Sequence, residues 1–292
     1  GYPAFSAPDE YARHITDCGF NVFLTANNHI CDKYSAGMTR TLRIYRELAQ
    51  SDSIVFTGTA GNQEEFEKTT PLIIVRKGIR IAIINATYGT NIGSEKPWPK
   101  TNYLRDKKML KDALIKAKEN ADIVVVFPHW GTEYVLEETE AEQEWAQFFC
   151  ENGADLIIGT HPHVIQPVKW VESSNGNKAL VYYSLGNFVS CQPRNYTMLG
   201  GMAQVAITKD KSGTYVSAYD MDFLFTHYNN NRSHVTTYFL DDYTDELMKQ
   251  HTLVLKPTES LNWINKQYPM TVKDMKKLAE RVCPDLADYE DI

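Results

Sequence analysis

DLIIGTHPHVIQP, residues Asp155 to Pro167, carries an apolar strand straight into two histidines with one proline between them. Pro162 fixes its own φ and restricts the residue before it, so His161 and His163 sit on stiffened backbone. In open α/β sheets the carboxyl ends of strands are where ligands bind, and imidazoles held there suit a metal ion. The same stretch could also be a solvent-exposed turn, so the neighbouring sequence has to decide. Two further stretches repeat the arrangement. NVFLTA (21–26) leads into Asn27, Asn28 and His29, and DIVVVFP (122–128) leads into His129, Trp130, Gly131, Thr132, Glu133 and Tyr134. If the three strands are parallel neighbours, the three loops leave one sheet edge and converge.

Between these stretches the periodicity changes. Ser6, Pro8 and Asp9 open a helix that ends before Gly19, and a second amphipathic helix runs from Gly37 to about Gln50. PLIIVRKGIRIAIINATYG folds back at Lys77-Gly78 as a hairpin. Tyr88 to Tyr103 is aperiodic and reads as a long surface loop, a class that is often functional. Helices over 105–120 and 140–152 flank ADIVVVFPHWG, whose continuous apolar run is that of a strand buried on both faces. Strands of this kind alternating with helices imply an α/β fold with helices on both faces of a sheet. Two more hairpins follow, one turning at SSNGNK and one at Lys211 to Gly213. The simplest division is a domain over 1–240 and a helical C-terminal extension over 241–292, in three pieces separated by Pro257 and Pro269.

Bulk properties narrow the function. Of 292 residues, 43% are hydrophobic and 23% charged, the balance of a globular chain able to bury a full core. Thirty basic and 37 acidic residues give a net charge of −7 with no basic run, which argues against nucleic acid as a partner. No stretch approaches the ~20 apolar residues of a membrane span. Five cysteines without a C-x-x-C pair point to neither a disulfide framework nor a zinc finger. The sequence starts at Gly1 without a charged-then-apolar leader and is expected to be either a processed chain or a piece cut out for expression.

The three loops offer one asparagine oxygen (Asn28) and three imidazoles (His129, His161, His163), an intermediate donor set that suits Mn, Zn or Fe better than Mg or Ca. Each piece has a plainer reading. HWG can be a packed His-Trp pair, NNH an Asx turn, and Asp32 the cap of the next helix rather than a support for His29. Three coincidences at three strand ends favour the metal.

Taken in order, NNHxxD, PHWGTEY, a helix bearing Gln143, GADLIIGTHPHVIQP and YYSLGNF resemble the CapA-type proteins of poly-γ-glutamate capsule synthesis, a branch of the calcineurin-like metallophosphoesterases. The resemblance covers roughly residues 1 to 190. It implies a metallophosphoesterase sandwich of strands with flanking helices, in which Asn28, His129 and His161 ligate one divalent transition metal and His163 belongs to a second. His29 matches the histidine that acts beside the metals, and Asn27, Asp32, Trp130, Glu133, Tyr134 and Asn187 fall in the substrate pocket or just behind the ligands. It further implies a hydrolase or transferase of the cell envelope acting on a phosphoester or amide, with an anionic polymer as substrate and envelope assembly proteins as partners. The family's acidic motifs precede the segment matching Ser6 onward, and GYPAF has no acidic residue. The chain therefore resembles the family without its first strands, and by itself is expected to hold at most one weakly bound metal. The alternative is a non-catalytic binding or assembly subunit with an incomplete metal site.

Overall fold

A computed structural model of the chain describes residues 3–51, 54–94, 96–229, 232–255 and 270–286. The strands are β1 (Val22–Leu24), β2 (Val55–Thr57), β3 (Thr59–Ala60), β4 (Leu72–Arg76), β5 (Ile79–Thr87), β6 (Lys100–Thr101) and β7 (Ile123–His129). They continue with β8 (Leu156–Ile158), β9 (Val168–Glu172), β10 (Lys178–Tyr182), β11 (Leu199–Asp210), β12 (Gly213–Asn229) and β13 (Ser233–Phe239). The helices that matter below are α1 (Asp9–Asp17), α2 (Tyr34–Ser51), α3 (Gln63–Thr69), α4 (Lys107–Asn120) and α5 (Glu140–Glu151).

The central sheet runs β4-β5-β7-β8-β10-β9. β5, β7, β8 and β10 are parallel, and the edge strands β4 and β9 are antiparallel hairpin partners of β5 and β10. Alternate residues of the inner strands bury opposite faces, as the pleat requires. Val124, Val126, Ile157 and Val181 pack with Leu110 and Leu114 of α4 and with Ala146 and Phe149 of α5. Asp106 caps α4, and Thr139 with Glu142 forms a capping box that opens α5.

The opposite face departs from the expectation of helices on both sides. Val125, Leu156, Leu180 and Tyr182 bury against Phe223 and Phe225 of β12 and against Met275, Leu278, Ala279 and Val282 of the helix Val272–Val282. The cover is therefore mostly a second, three-stranded sheet ordered β11-β12-β13. Continuous apolar strands report that both faces are buried and say nothing about what covers each one. The described parts of the tail share this core, since Met248, Leu253 and Met275 sit in the same cluster as the central strands. Pro257 and Pro269 lie outside the described residues.

β1 also departs from expectation. It pairs in parallel with β2 as a separate two-stranded sheet rather than joining the central one. Phe23, Leu42, Leu48, Ile54 and Phe56 make its small core under α2. What brings its end to the central sheet is Asn85 of β5, buried at 3% exposure. Its Oδ1 accepts from the Ala26 N–H at 2.7 Å, while its Nδ2 donates to the Phe127 carbonyl at 2.8 Å. One amide thus ties the exit of β1 to the exit of β7.

Candidate metal centre

The three loops meet. His129 is the last residue of β7, and an isolated parallel bridge to Thr160 carries the β7–β8 pairing into the loops beyond. The His129 and His161 ring centroids lie 4.9 Å apart, and those of His161 and His163 lie 6.2 Å apart. Asn28, only 4% exposed, faces His129 with its Oδ1 3.0 Å from Nε2. The Asn28 amide is oriented by the loop after β5: its Nδ2 contacts Asn91 Oδ1 at 3.4 Å, and the Asn91 N–H donates to the Asn28 carbonyl at 2.8 Å.

Each histidine is held differently. His129 Nδ1 sits 2.9 Å from Thr160 Oγ1, which fixes the ring plane. His163 Nδ1 lies 2.8 Å from Asn187 Oδ1, and Asn187 Nδ2 donates to the carbonyls of His163 and Thr197. Those two donations settle the amide orientation, so Oδ1 must accept and His163 Nδ1 must carry the proton. That leaves Nε2 as the nitrogen that can ligate. Asn187 is therefore a bracket for a ring rather than a pocket wall. His161 is 8% exposed, and its Nδ1 is buried without a hydrogen-bond partner. Tyr88, tilted 42° against His161 at 4.6 Å between centroids, roofs the cluster.

Burial dominates the electrostatics. It pushes His129 down to about 3 and His161 down to about 4, with the neighbouring imidazoles adding to both and the Glu133 charge opposing the fall at His161. Both rings are neutral at physiological pH, the state in which an imidazole can ligate. Tyr88 and Tyr134 are raised, first by burial and then by Glu133.

The backbone here is strained. His161, His163 and Tyr134 have φ of 104, 61 and 69°, a region that non-glycine residues enter at a cost of ~1–3 kcal/mol each. A residue before proline favours φ near −120°, so His161 is the sharpest exception. The strain is held by a bond from the Tyr134 N–H to the Pro162 carbonyl at 2.7 Å and by the Asn187 bracket.

His29 stands at the side of the cluster. Its N–H donates to Asn27 Oδ1 at 2.9 Å, the Asx turn that NNH suggests, and its Nδ1 lies 2.8 Å from Asp32 Oδ2. Asp32 is buried, and the same oxygen accepts the Phe5 N–H at 2.7 Å. It orients His29 and does not cap α2, which begins at Tyr34. Trp130 is 1% exposed, stacks on Tyr183, and donates its Nε1 proton to the Tyr183 carbonyl at 2.9 Å, so it lies in the core behind the ligands rather than in the pocket. Glu133 is exposed on the loop, and Tyr134 stacks on His163. A cleft of about 550 Å³ between α1 and α2 reaches His29 and Asp32 at one end.

Asn28, His129 and His161 are neutral N and O donors of the kind a transition metal takes: the first two face each other at 3.0 Å, and the third has an unpartnered buried nitrogen, while His163 stands apart on its own bracket. They do not form a closed cage. Among the described residues no three His, Cys, Asp or Glu side chains gather closely enough to hold an ion. Sequence reasoning missed Asn85, Tyr88, Asn91 and Thr160. An isolated Asn inside the apolar strand IRIAIINAT was the available signal for the first.

A chain with this α/β fold and these strand-end histidines matches the family of bacterial capsule synthesis proteins designated PGA_cap over residues 1–192, and it belongs to that family. It is 31% identical to the PGA biosynthesis protein CapA of Bacillus subtilis over 70% of this chain and 52% of that one. It is also 31% identical to the capsule biosynthesis protein CapA of Bacillus anthracis, over 63% of this chain and 43% of that one. The chain thus spans about half the length of these curated relatives. Among solved structures, a Staphylococcus aureus protein assigned as a 5′-nucleotidase superposes with a TM-score of 0.45 and 16% identity, over 73% of this chain and 39% of that one.

Proposed function

We propose that this chain is the metal-binding part of a hydrolase or transferase of the cell envelope that acts on a phosphoester or amide during capsule polymer synthesis or processing. The observation that carries the reading is the convergence of Asn28, His129, His161 and His163 from three strand ends, with His161 and His163 held on strained backbone. Strain of that kind persists where a site needs it. The capsule names of its relatives support an anionic polymer as substrate.

A divalent transition metal bound there supplies Lewis-acid activation of the attacked bond and of water. The chain's own residues do the rest. Asn28, His129 and His161 present neutral donors, and Thr160 and Asn187 fix the planes of two rings. Asp32 holds His29 by Nδ1, which leaves Nε2 to protonate a leaving group or steady developing negative charge. Tyr88 roofs the rings and limits the access of water.

The alternative is a binding or assembly subunit with an incomplete site, favoured by the neutrality of every candidate donor. The two are separated by titrating metal-stripped protein with Mn²⁺ or Zn²⁺ by calorimetry, beside His129→Ala and His161→Ala, and by screening phosphoesters and γ-glutamyl amides. Saturable uptake lost in both variants, with metal-dependent turnover, is expected. Uptake without turnover on either substrate class would favour the binding subunit, and uptake unchanged in both variants would refute the site.

A further inference from the structure

His163, Tyr134 and Arg194 form a column. The Tyr134 ring stacks on His163 at 5.9 Å between centroids and 20° between planes, and the Arg194 Cζ lies 3.7 Å from the centre of the Tyr134 ring. A guanidinium in contact with an aromatic ring is held by cation–π attraction and can leave donors at its edge for a ligand. One of them, Nη1, donates to Tyr196 Oη at 3.1 Å. The Arg194 backbone is anchored as well. Its carbonyl accepts from the Thr197 N–H and Oγ1, and the Thr197 carbonyl accepts from Asn187, the residue that brackets His163. Arg194 and His163 are thus set by one asparagine.

Its charge is unanswered. Arg194 is half-buried, and among the described residues no carboxylate lies within ion-pair distance of it, whereas Arg40, Arg43, Arg46 and Arg80 each have one. Glu133, next to Tyr134 in the chain, acts on the Tyr134 hydroxyl instead. A fixed guanidinium without a carboxylate partner, one aromatic ring removed from His163, keeps edge donors that can receive an oxyanion bidentately.

We propose that Arg194 binds an oxyanion of the substrate next to the group held at His163, a carboxylate of a polyanionic chain or a phosphate, and so sets specificity for anionic substrates. This rests on the functional reading above. It does not depend on turnover, because the binding it predicts is measured directly.

The test is calorimetry of the full chain at low ionic strength with three probes: a γ-linked glutamate oligomer, its methyl ester, and inorganic phosphate. Arg194→Ala is expected to weaken binding of the oligomer or of phosphate by roughly 10- to 100-fold, the range of a lost charge-assisted hydrogen-bond pair. Arg194→Lys should recover part of it, and the ester should bind the wild type as poorly as the oligomer binds Arg194→Ala. The probe that loses affinity identifies the oxyanion. Arg194→Gln, which keeps a planar polar end on a shorter side chain and removes the charge, guards against a folding defect and should match Arg194→Ala. Affinity for both anions unchanged in Arg194→Ala and Arg194→Gln, or no measurable binding of either by the wild type, overturns the assignment. Intact metal uptake in those variants shows that the metal reading survives such a failure.

Discussion

Replacing Gly159 with alanine tests whether the strand end that carries His161 is set by close packing. A methyl group built on Gly159 falls inside the van der Waals radii of the Tyr183 carbonyl oxygen and the Trp130 Nε1, and lies 2.9 Å from Trp130 Cε2. None of these atoms belongs to a flexible chain end. The carbonyl is backbone, and the indole is fully buried and bonded to that same carbonyl at 2.9 Å. Overpacking of this kind costs ~1–3 kcal/mol, and losing the indole bond in a buried site adds ~1–2 kcal/mol. The sum of ~2–5 kcal/mol lowers the melting temperature by roughly 5–15 °C in a chain of this size. Gly89→Ala is the control, since a methyl group there meets nothing within 4 Å. It should change stability by less than ~0.5 kcal/mol. Thermal melts followed by circular dichroism give both values. Because Gly159 is two residues from His161, metal uptake should weaken with stability. A Gly159→Ala variant melting within about 2 °C of the wild type would refute the packing argument.

His29→Ala should leave metal content unchanged by elemental analysis while lowering any metal-dependent turnover by ~100-fold or more, the loss of an acid catalyst. Metal lost from that variant would make His29 a support for the ligands instead. His251 is fully buried and pushed down to about 4 by burial, with His227 adding and its bond to the Thr226 carbonyl opposing. Its folded value lies below the unfolded one of about 6.5, so the unfolded chain takes up the proton first and stability is lost as pH falls from about 6.5 toward 4. The loss is about 3 kcal/mol for this residue, and urea midpoints at about pH 7 and pH 4.5 should converge in His251→Gln relative to the wild type. An identical pH slope in the two proteins would show that His251 is not the group responsible.

Much of the fold was legible because local chemistry and tertiary structure agree. Gly at a turn, a Thr or Asp at a helix start and an unbroken apolar run each force an element, and β4 to β5, β7, α5 and β8 follow directly. What covers a buried strand is a non-local fact. The face expected to carry helices carries β11, β12 and β13, because apolar residues on Phe223 and Phe225 can satisfy Val125 and Leu180 as well as a helix can. α3 escaped notice because QEEFEKT is short and mostly polar, with one cap at Asn62 and no buried residue.

The site divides along the same line. His129, His161 and His163 could be found because a ligand must follow a strand, which leaves a pattern along the chain. The residues that aim them leave none. Asn85 reaches across from within a strand, Thr160 acts through its hydroxyl alone, and Arg194 reaches His163 through an intervening ring. Trp130, next to His129 in the chain, falls behind the ligands rather than in the pocket. Successive strand residues point to opposite faces, so the neighbour of an outward ligand enters the core. A chain that places donors by sequence and aims them by distant contacts can lose function at positions far from any motif. The bracket of Asn187, which holds both the His163 ring and the turn that carries Arg194, is the point where one amide controls two parts of the site.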